Sequence, residues 1–580
     1  MQIKTNQIFT LLSITCLILQ VRNLFLLKVV QPIGYIINIF SMFPLSFYLD
    51  LIICYFIATF LVLNGKKIVG TLILCLNHIE ILIIPYMLRY YSMGRADDMS
   101  YIGEYLQIAN SGYFANWDIY PASHIIGASV SIISNLEAHQ TSFIIPIVFS
   151  FVFITGICLF SRELFSDSCI NSLVIISSFI LYMGIYNFLN VPHALFFSLM
   201  PLYLCFFYRY IKGYNNPSFS IIFVIMTLLI PITHPFIIFF SFIVFLFHRT
   251  SKYISNSNKK ILDIPTVKTS SFLILTISSI SWFIYNETVM KYLRIQYTDF
   301  INKITEPVFF ETTGKLSKLN FSFLDYVGLL SLYCGRYLIP MLIIFVSLIY
   351  LYNHRHLFKK ELFKNYPYIL FLCIASLFTQ SVLLFNPIIS HQPDRIMNLN
   401  FAVYAQVPLF ACALYLLFLK KSKSLSNKLL VCIICLLIWS LSLFGCFDSP
   451  NVYRANVALT NNEICGMKWF YELKDESAIS VPFSQINRFH AILGDNEKKD
   501  RLKNIPDHFG YVNSSGSFTT NLNENLYIII LTVDELLYQE VPSYKVIGRY
   551  TKEDFDRFKN DISLNKIYDS VNIEIFRYNS

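Results

Sequence analysis

The sequence predicts a polytopic α-helical membrane protein of about thirteen transmembrane helices, followed by a small C-terminal α/β domain. Three observations predict it. Of the 580 residues, 55% are hydrophobic, 17% aromatic and 14% charged, and the mean hydropathy is +0.55; that is too little charge to cover a soluble surface. The apolar residues fall into runs near the roughly 20 residues that cross a bilayer. From residue 448 the composition turns polar, which divides the chain into a membrane part, 1–447, and a tail, 448–580.

In chain order, spans are expected at 8–28, 46–63 and 68–88, before a long polar loop at 89–138. Ten more follow at 139–160, 170–187, 191–211, 219–232, 236–248, 270–287, 327–352, 366–386, 398–419 and 428–447. Around Pro231 and Thr233-His234-Pro235 the pattern fits either a hairpin of two short helices or one kinked helix. Within the polar loop, residues 99–111 carry Tyr101, Ile102, Tyr105, Leu106 and Ala109 on one face, and 121–134 are short and rich in Ser and Gly. Both read as interfacial helices. In the tail, 464–474 and 552–562 read as helices, and 478–481 and 526–531 as strands.

Lys and Arg (45) outnumber Asp and Glu (36), but the cations sit in loops between apolar runs, so topology explains them and nucleic acid does not. With the N-terminus inside, Lys66-Lys67, Arg162, Arg209, Lys212 and the basic loops 249–268, 353–365 and 420–428 all fall on the cytoplasmic side of a plasma membrane. The loops 89–138, 288–326 and 387–397 and the tail then face outward. The sequons at Asn286, Asn320 and Asn513 fall on that outer side. Most of the thirteen cysteines lie in apolar runs, and no disulfide framework or zinc spacing is visible. No small-residue cleavage site precedes Arg22, so the first span is expected to stay attached.

In so apolar a chain, the outward loops must carry the reactive groups. Asp97 and Asp98 form an acidic pair directly after a span, in Arg89-Tyr-Tyr-Ser-Met-Gly-Arg95-Ala-Asp-Asp-Met-Ser100. Asp118, Tyr120 and His124 follow, His234 lies in a later outer turn, and His391 and Arg395 lie in Ser390-His-Gln-Pro-Asp-Arg395. No inner loop carries a Gly-rich phosphate cradle, so an activated substrate has to come from the bilayer. A sugar on a polyprenyl phosphate meets that requirement. Its transfer needs a base for the acceptor hydroxyl, which Asp97 or Asp98 can supply, and positive charge on the departing phosphate, which Arg395 can supply.

Each residue also has a plainer reading. Asp98 can cap the helix that follows it, and Asp97 can pair with Arg95 or Arg89 on the surface. Arg395 can pair with Asp394 or snorkel to head groups, while Tyr120-Pro121 can only set a turn. His234 can serve as a hydrogen-bonded structural histidine. Asn77, His78 and Glu80, with Asp50 and Arg22, read as a polar cluster tying the first three spans or as the core of a transporter.

The order of these features resembles the GT-C superfamily of lipid-phosphate-sugar-dependent glycosyltransferases, the group that includes protein mannosyltransferases, aminoarabinose transferases and oligosaccharyltransferases. The segment Asp118-Ile-Tyr-Pro-Ala-Ser-His124-Ile-Ile-Gly127 is similar to the first-loop segment of archaeal members. The endings Asn565-Lys-Ile-Tyr-Asp569 and Ile573-Glu-Ile-Phe576 are similar to their tails. The architectural likeness is nearly full length, but the specific motifs cover only some forty residues of the chain. The sequence departs from the family in two extra spans before the core helix, an Asp-Asp pair where protein mannosyltransferases have Asp-Glu, and no Trp-Trp-Asp motif in the tail.

The resemblance implies a GT-C-like membrane domain and transfer of a single sugar, with inversion, from a polyprenyl- or dolichyl-phosphate donor on the extracytoplasmic face. The acceptor is a glycan, lipid or protein of the cell envelope. Asp97 or Asp98 takes the role of base, and substrate contacts are expected of Arg395, His391, His234, Asp118, Tyr120, His124 and Arg95. No cofactor is assigned; a divalent cation, Mg or Mn, is admissible, with Asp118, His124 and Tyr120 either lining the acceptor site or binding that cation together with Asp97, since the first-loop acid is a metal ligand in oligosaccharyltransferases. The alternatives are a transporter or flippase of lipid-linked precursors, a surface-polysaccharide polymerase or ligase, and a noncatalytic scaffold that displays the tail.

Overall fold

The structure is a computed structural model that describes residues 2–32, 34–213, 217–257, 269–302, 306–319, 321–354, 365–387, 393–475, 479–483, 488–493, 506–511 and 525–578. The chain opens with α1 (Gln2–Val29), α2 (Leu45–Leu63), α3 (Lys67–Leu82) and the single turn α4 (Ile84–Met87). The first polar loop holds the strand β1 (Tyr90–Ser92) and the helices α5 (Asp97–Ser111) and α6 (Pro121–Ser134). Then come α7 (Ala138–Leu164), α8 (Ser168–Ser178), α9 (Pro192–Ile211), α10 (Pro217–Leu229), α11 (Pro235–Ser257), α12 (Thr269–Tyr285), α13 (Glu287–Ile301) and α14 (Val308–Ser317). The membrane part ends with α15 (Phe323–Asn353), α16 (Tyr366–Phe385), α17 (Pro393–Asn398), α18 (Val403–Leu414) and α19 (Leu425–Phe444).

Among the described residues, eight helices are long and apolar enough to cross a membrane, so the chain is an integral multi-pass membrane protein. A helix starts within or beside each of the other expected spans, but those helices are shorter or broken. Proline and glycine supply the reason. Pro85 divides α3 from α4, Pro231 and Pro235 bracket the break between α10 and α11, and Gly184 takes a left-handed φ of 55° beyond the end of α8. Helix α12 meets α13 at 90°.

Polar contacts sort the connections to two ends of the bundle. At one end Lys66 reaches Asn6, Lys67 reaches Ser168, Lys428 reaches Asn64, and Lys212 reaches Asn365, which itself donates to the Leu164 carbonyl. At the other end the segment after α1, the first polar loop and the tail meet: Asn456 donates to Ile36 O at 2.8 Å, and the Phe321 and Tyr453 rings lie 4.6 Å apart. Between α1, α2 and α3, Arg22 bonds Asp50, Asn23 donates to Glu80, and His78 meets Ser150 of α7.

The tail forms β2 (Leu459–Thr460), α20 (Asn461–Leu473), β3 (Ile479–Pro482), α21 (Phe489–Leu493), β4 (Leu526–Leu531), α22 (Thr532–Glu540), α23 (Pro542–Ile547), α24 (Lys552–Lys559), β5 (Asn565–Asp569) and β6 (Ile573–Tyr578). Strand β4 is buried throughout, and the four-stranded sheet runs β3-β4-β6-β5, with β3 parallel to β4 and the other pairings antiparallel. The expected helices and strands of the tail are all present, and β5 and β6 complete the sheet. A second, two-stranded ribbon joins β1 to β2. Met99, Ile102 and Tyr105 of α5 share one hydrophobic core with Met467, Phe470, Phe489 and Ile529 of the tail. Helix α5 therefore packs between the tail and α6 instead of lying bare on lipid.

Candidate active site

Helix α5 starts at Asp97, with Ala96 at its N-cap making no side-chain cap. Both acids occupy the first turn, where unpaired N–H groups favour negative charge. Their environments differ sharply. Asp98 is 3% exposed, and the nearby backbone N–H groups of Gly94 and Asn190 favour its charged form. A Cβ on residue 94 would lie 2.9 Å from the Asp98 carboxylate, so glycine is needed for that approach. Burial, and then the neighbouring Asp97 charge, push the Asp98 carboxyl up to about 8, against the hydrogen bonds that lower it. Asp98 is thus buried between the first polar loop and the turn before α9, where its charged form is disfavoured.

Asp97 faces outward with its side chain 38% exposed. Arg395 Nη2 lies 3.4 Å from its Oδ2, across 298 positions of sequence. Arg488, from the tail, lies 3.6 Å from its Oδ1. Arg395 is aimed by α17, which Pro393 starts and α15 holds: Arg336 donates to Asn398 Oδ1, and the Tyr337 hydroxyl donates to Asn398 O at 2.8 Å. Tyr186 also lies beside Arg395 and favours its charged form.

Behind Asp97 lies a second constellation. His124 Nδ1 meets Asp118 Oδ2 at 2.6 Å, and both side chains are 2% exposed. With Glu104 of α5, their ligand atoms lie within 4.8 Å of one another. Glu104 Oε2 and His124 Nε2 have no hydrogen-bond partner among the described residues. Burial, and then Asp118, push the Glu104 carboxyl up to about 7. The Tyr101 ring lies 4.8 Å from His124 and connects this cluster to the acidic pair. Two carboxylates and an imidazole in this arrangement can hold a divalent cation.

Tyr120 donates its N–H to Asp118 Oδ1 at 2.8 Å, and its ring lies 4.7 Å from His234. His234 Nδ1 accepts the Phe236 N–H at 3.2 Å, which caps the start of α11. His193 stands 5.1 Å from His234 and 5.3 Å from Tyr186, closing an arc of rings from Asp118 round to Arg395. Asn286 donates to the Asp118 carbonyl at 2.9 Å and caps α13, so its sequon amide is buried in the fold.

Of the residues singled out from sequence, the structure brings Asp97, Asp98 and Arg395 together, and Asp118, Tyr120, His124 and His234 into the adjoining arc. His391 lies outside the described residues. Arg95 turns away: it binds Glu463 of the tail at 2.7 Å and the Ala458 carbonyl at 2.8 Å, so it belongs to the junction with the tail. Sequence reasoning misses Glu104, Arg488 and Tyr186. Only Glu104 carries a signal, because seven residues after Asp97 place it on the same helical face.

Fold and site together define a multi-pass membrane protein with an acid–guanidinium centre where its first polar loop, a late helix and its tail converge. No family model matches the chain, and no curated protein does. Among solved structures it is similar to ArnT from Cupriavidus metallidurans bound to undecaprenyl phosphate, at a TM-score of 0.45 and 8% identity over 87% of this chain and 97% of that one. It is also similar to the archaeal oligosaccharyltransferase AglB from Archaeoglobus fulgidus, in complex with an inhibitory peptide and a dolichol-phosphate. That likeness has a TM-score of 0.45 and 13% identity, over 80% of this chain and 71% of that one.

Proposed function

We propose that the protein is a membrane glycosyltransferase that moves one sugar from a polyprenyl-phosphate donor to an acceptor hydroxyl on the extracytoplasmic face, inverting the anomeric centre. The observation that carries this reading is the meeting of Asp97 with Arg395, a base and a phosphate-binding cation held side by side where the first polar loop meets α17. Asp97 takes the proton of the acceptor hydroxyl, whose oxygen bonds to the anomeric carbon. The bond from that carbon to the phosphate oxygen breaks, and its electron pair leaves with the phosphate, which Arg395 steadies. Asp97 is favoured over Asp98 because it is exposed and faces the guanidiniums, whereas Asp98 is buried where its charged form is disfavoured.

A divalent cation fits the Glu104, Asp118 and His124 cluster on the strength of the two buried unpartnered ligand atoms. The imidazole favours Mn or Zn over Mg. When bound, such a cation would add positive charge beside the acceptor side of the site. Removing metal with a chelator and restoring Mn is expected to lower and recover activity if that cluster serves transfer; metal content below one ion per chain in active protein would exclude it.

The decisive experiment follows sugar transfer from a lipid-linked donor in membranes bearing Asp97→Asn, Asp98→Asn or both. Asp97→Asn is expected to lower turnover by about 10²–10⁴-fold. Unchanged turnover in all three would remove the base and the reading with it.

A further inference from the structure

The proposed transfer assigns one cation to the donor phosphate, yet two converge on Asp97. The second comes from the tail. Arg488 Nη2 stands 3.6 Å from Asp97 Oδ1, and Arg395 Nη2 stands 3.4 Å from Oδ2. A guanidinium and a carboxylate in contact close to about 2.7–2.9 Å, as Arg95 does on Glu463 at 2.7 Å. Arg488 is held from a second side, its Nη1 donating to Ser100 Oγ at 2.7 Å, and Arg395 has Tyr186 beside it. One carboxylate is thus shared by two cations, one on each oxygen, at longer range than the Arg95–Glu463 pair.

Charge points the same way. Two guanidiniums face one exposed carboxylate, while Asp98 behind it is buried and turned away from them. The excess positive charge is reachable, with the side chains of Asp97 and Arg488 38% and 42% exposed. Such a gap suits an anion with more oxygens than a carboxylate has, and a phosphate is that anion.

The position of Arg488 is built into the packing. It directly precedes α21, which lies against α5 at Gly103, where a Cβ would sit 2.5 Å from the Ala491 carbonyl oxygen. Only glycine permits so close an approach of α21 to α5. On the tail side, the His490 ring lies 4.2 Å from Tyr471.

We infer that Arg488 is a second phosphate ligand, delivered by the tail, so that the C-terminal domain completes the donor site. The inference rests on the lipid-phosphate-sugar reading. A phosphodiester donor carries one negative charge and the departing monoester up to two. Arg395 matches the first, and Arg488 meets the charge that develops as the sugar–oxygen bond breaks.

The test measures binding of a short-chain isoprenyl monophosphate to the purified full-length protein in nanodiscs, by fluorescence titration, with inorganic phosphate as a second probe. Arg488→Gln is expected to raise the Kd for isoprenyl phosphate by about 10–100-fold without moving the melting temperature, and Arg488→Lys to recover part of the loss. Gly103→Ala, which pushes α21 off α5 and leaves both arginines in the sequence, is expected to weaken binding too. If Arg488→Gln binds as the wild type does while Arg395→Gln loses the ligand, the role of Arg488 is overturned and the proposed function stands. If inorganic phosphate binds as tightly as the isoprenyl ester, the site is a free-anion site and the assignment to the donor fails. If the wild type binds neither, both readings fall.

Discussion

Two arginine–carboxylate meetings lie within a few residues of each other, and they are opposites. Arg95 grips Glu463 with two hydrogen bonds, 2.7 and 3.1 Å, between side chains 14% and 0% exposed. Glu463 also accepts the N–H and hydroxyl of Thr460, both at 2.8 Å. At Asp97 the guanidiniums stand off at 3.4 and 3.6 Å around an exposed carboxylate. Residue types are shared; closure and burial are not. A closed, buried pair fastens two parts of the chain, and a more open, exposed one leaves its charges available to a ligand.

The contrast can be broken from its strong end first. Glu463→Ala leaves Arg95 buried with its charge uncompensated, an expected loss of about 3–5 kcal/mol. It should appear as a lower melting temperature and as tail cleavage in limited proteolysis. Replacing the pair together, Arg95→Met with Glu463→Leu, is expected to recover most of that loss. By comparison, Asp97→Asn should change stability by no more than about 1 kcal/mol while turnover collapses. Were Asp97→Asn to melt as low as Glu463→Ala, the two meetings would be of one kind.

A gentler probe is pH. Asp98 and Glu104 are held by burial at about 8 and about 7, against ordinary values of 3.8 and 4.5. Their unfolded forms lose protons at lower pH than the folded forms, so their contribution to stability is complete below about pH 4 and fades as pH climbs towards 8. The melting temperature of the Asp98→Asn/Glu104→Gln protein should vary less over that window than that of the wild type. An equally steep wild-type and variant profile would assign the slope to other groups. Smallest of all, Lys315→Ala removes an exposed pair with Glu311 on α14 and is expected to cost about 0.3–0.5 kcal/mol.

Most of the layout was legible in the sequence. Apolar runs and basic loops mark the helices and their grouping at two ends, since bilayer length and charge act locally. Asp97 and Arg395 stood out because ionisable groups are scarce in so apolar a chain. Their partners did not. Arg488, Glu463 and Tyr186 are ordinary residues until the fold brings them across hundreds of positions, and nothing local separates Arg95, bound to the tail, from Arg89. The broken spans show the limit of hydropathy: Pro85 and Pro231 cut helices inside runs whose mean hydropathy does not register the break. Likewise, adjacent aspartates look equivalent in sequence, and only the close approach over Gly94 makes one of them a buried anchor.

The ribbon that pairs Tyr90 with Thr460 carries a constraint of parity. Two strands can hydrogen-bond only if they emerge on the same side of the bilayer, so the crossings between residues 92 and 459 must be even in number. Helices α7 to α12, α15, α16, α18 and α19 meet that requirement if each of them traverses. A relative that gained or lost one crossing there would strand Arg488 across the membrane from Asp97. Between residues 92 and 459, spans are therefore gained or lost only in pairs, whereas those before β1 are free of that constraint.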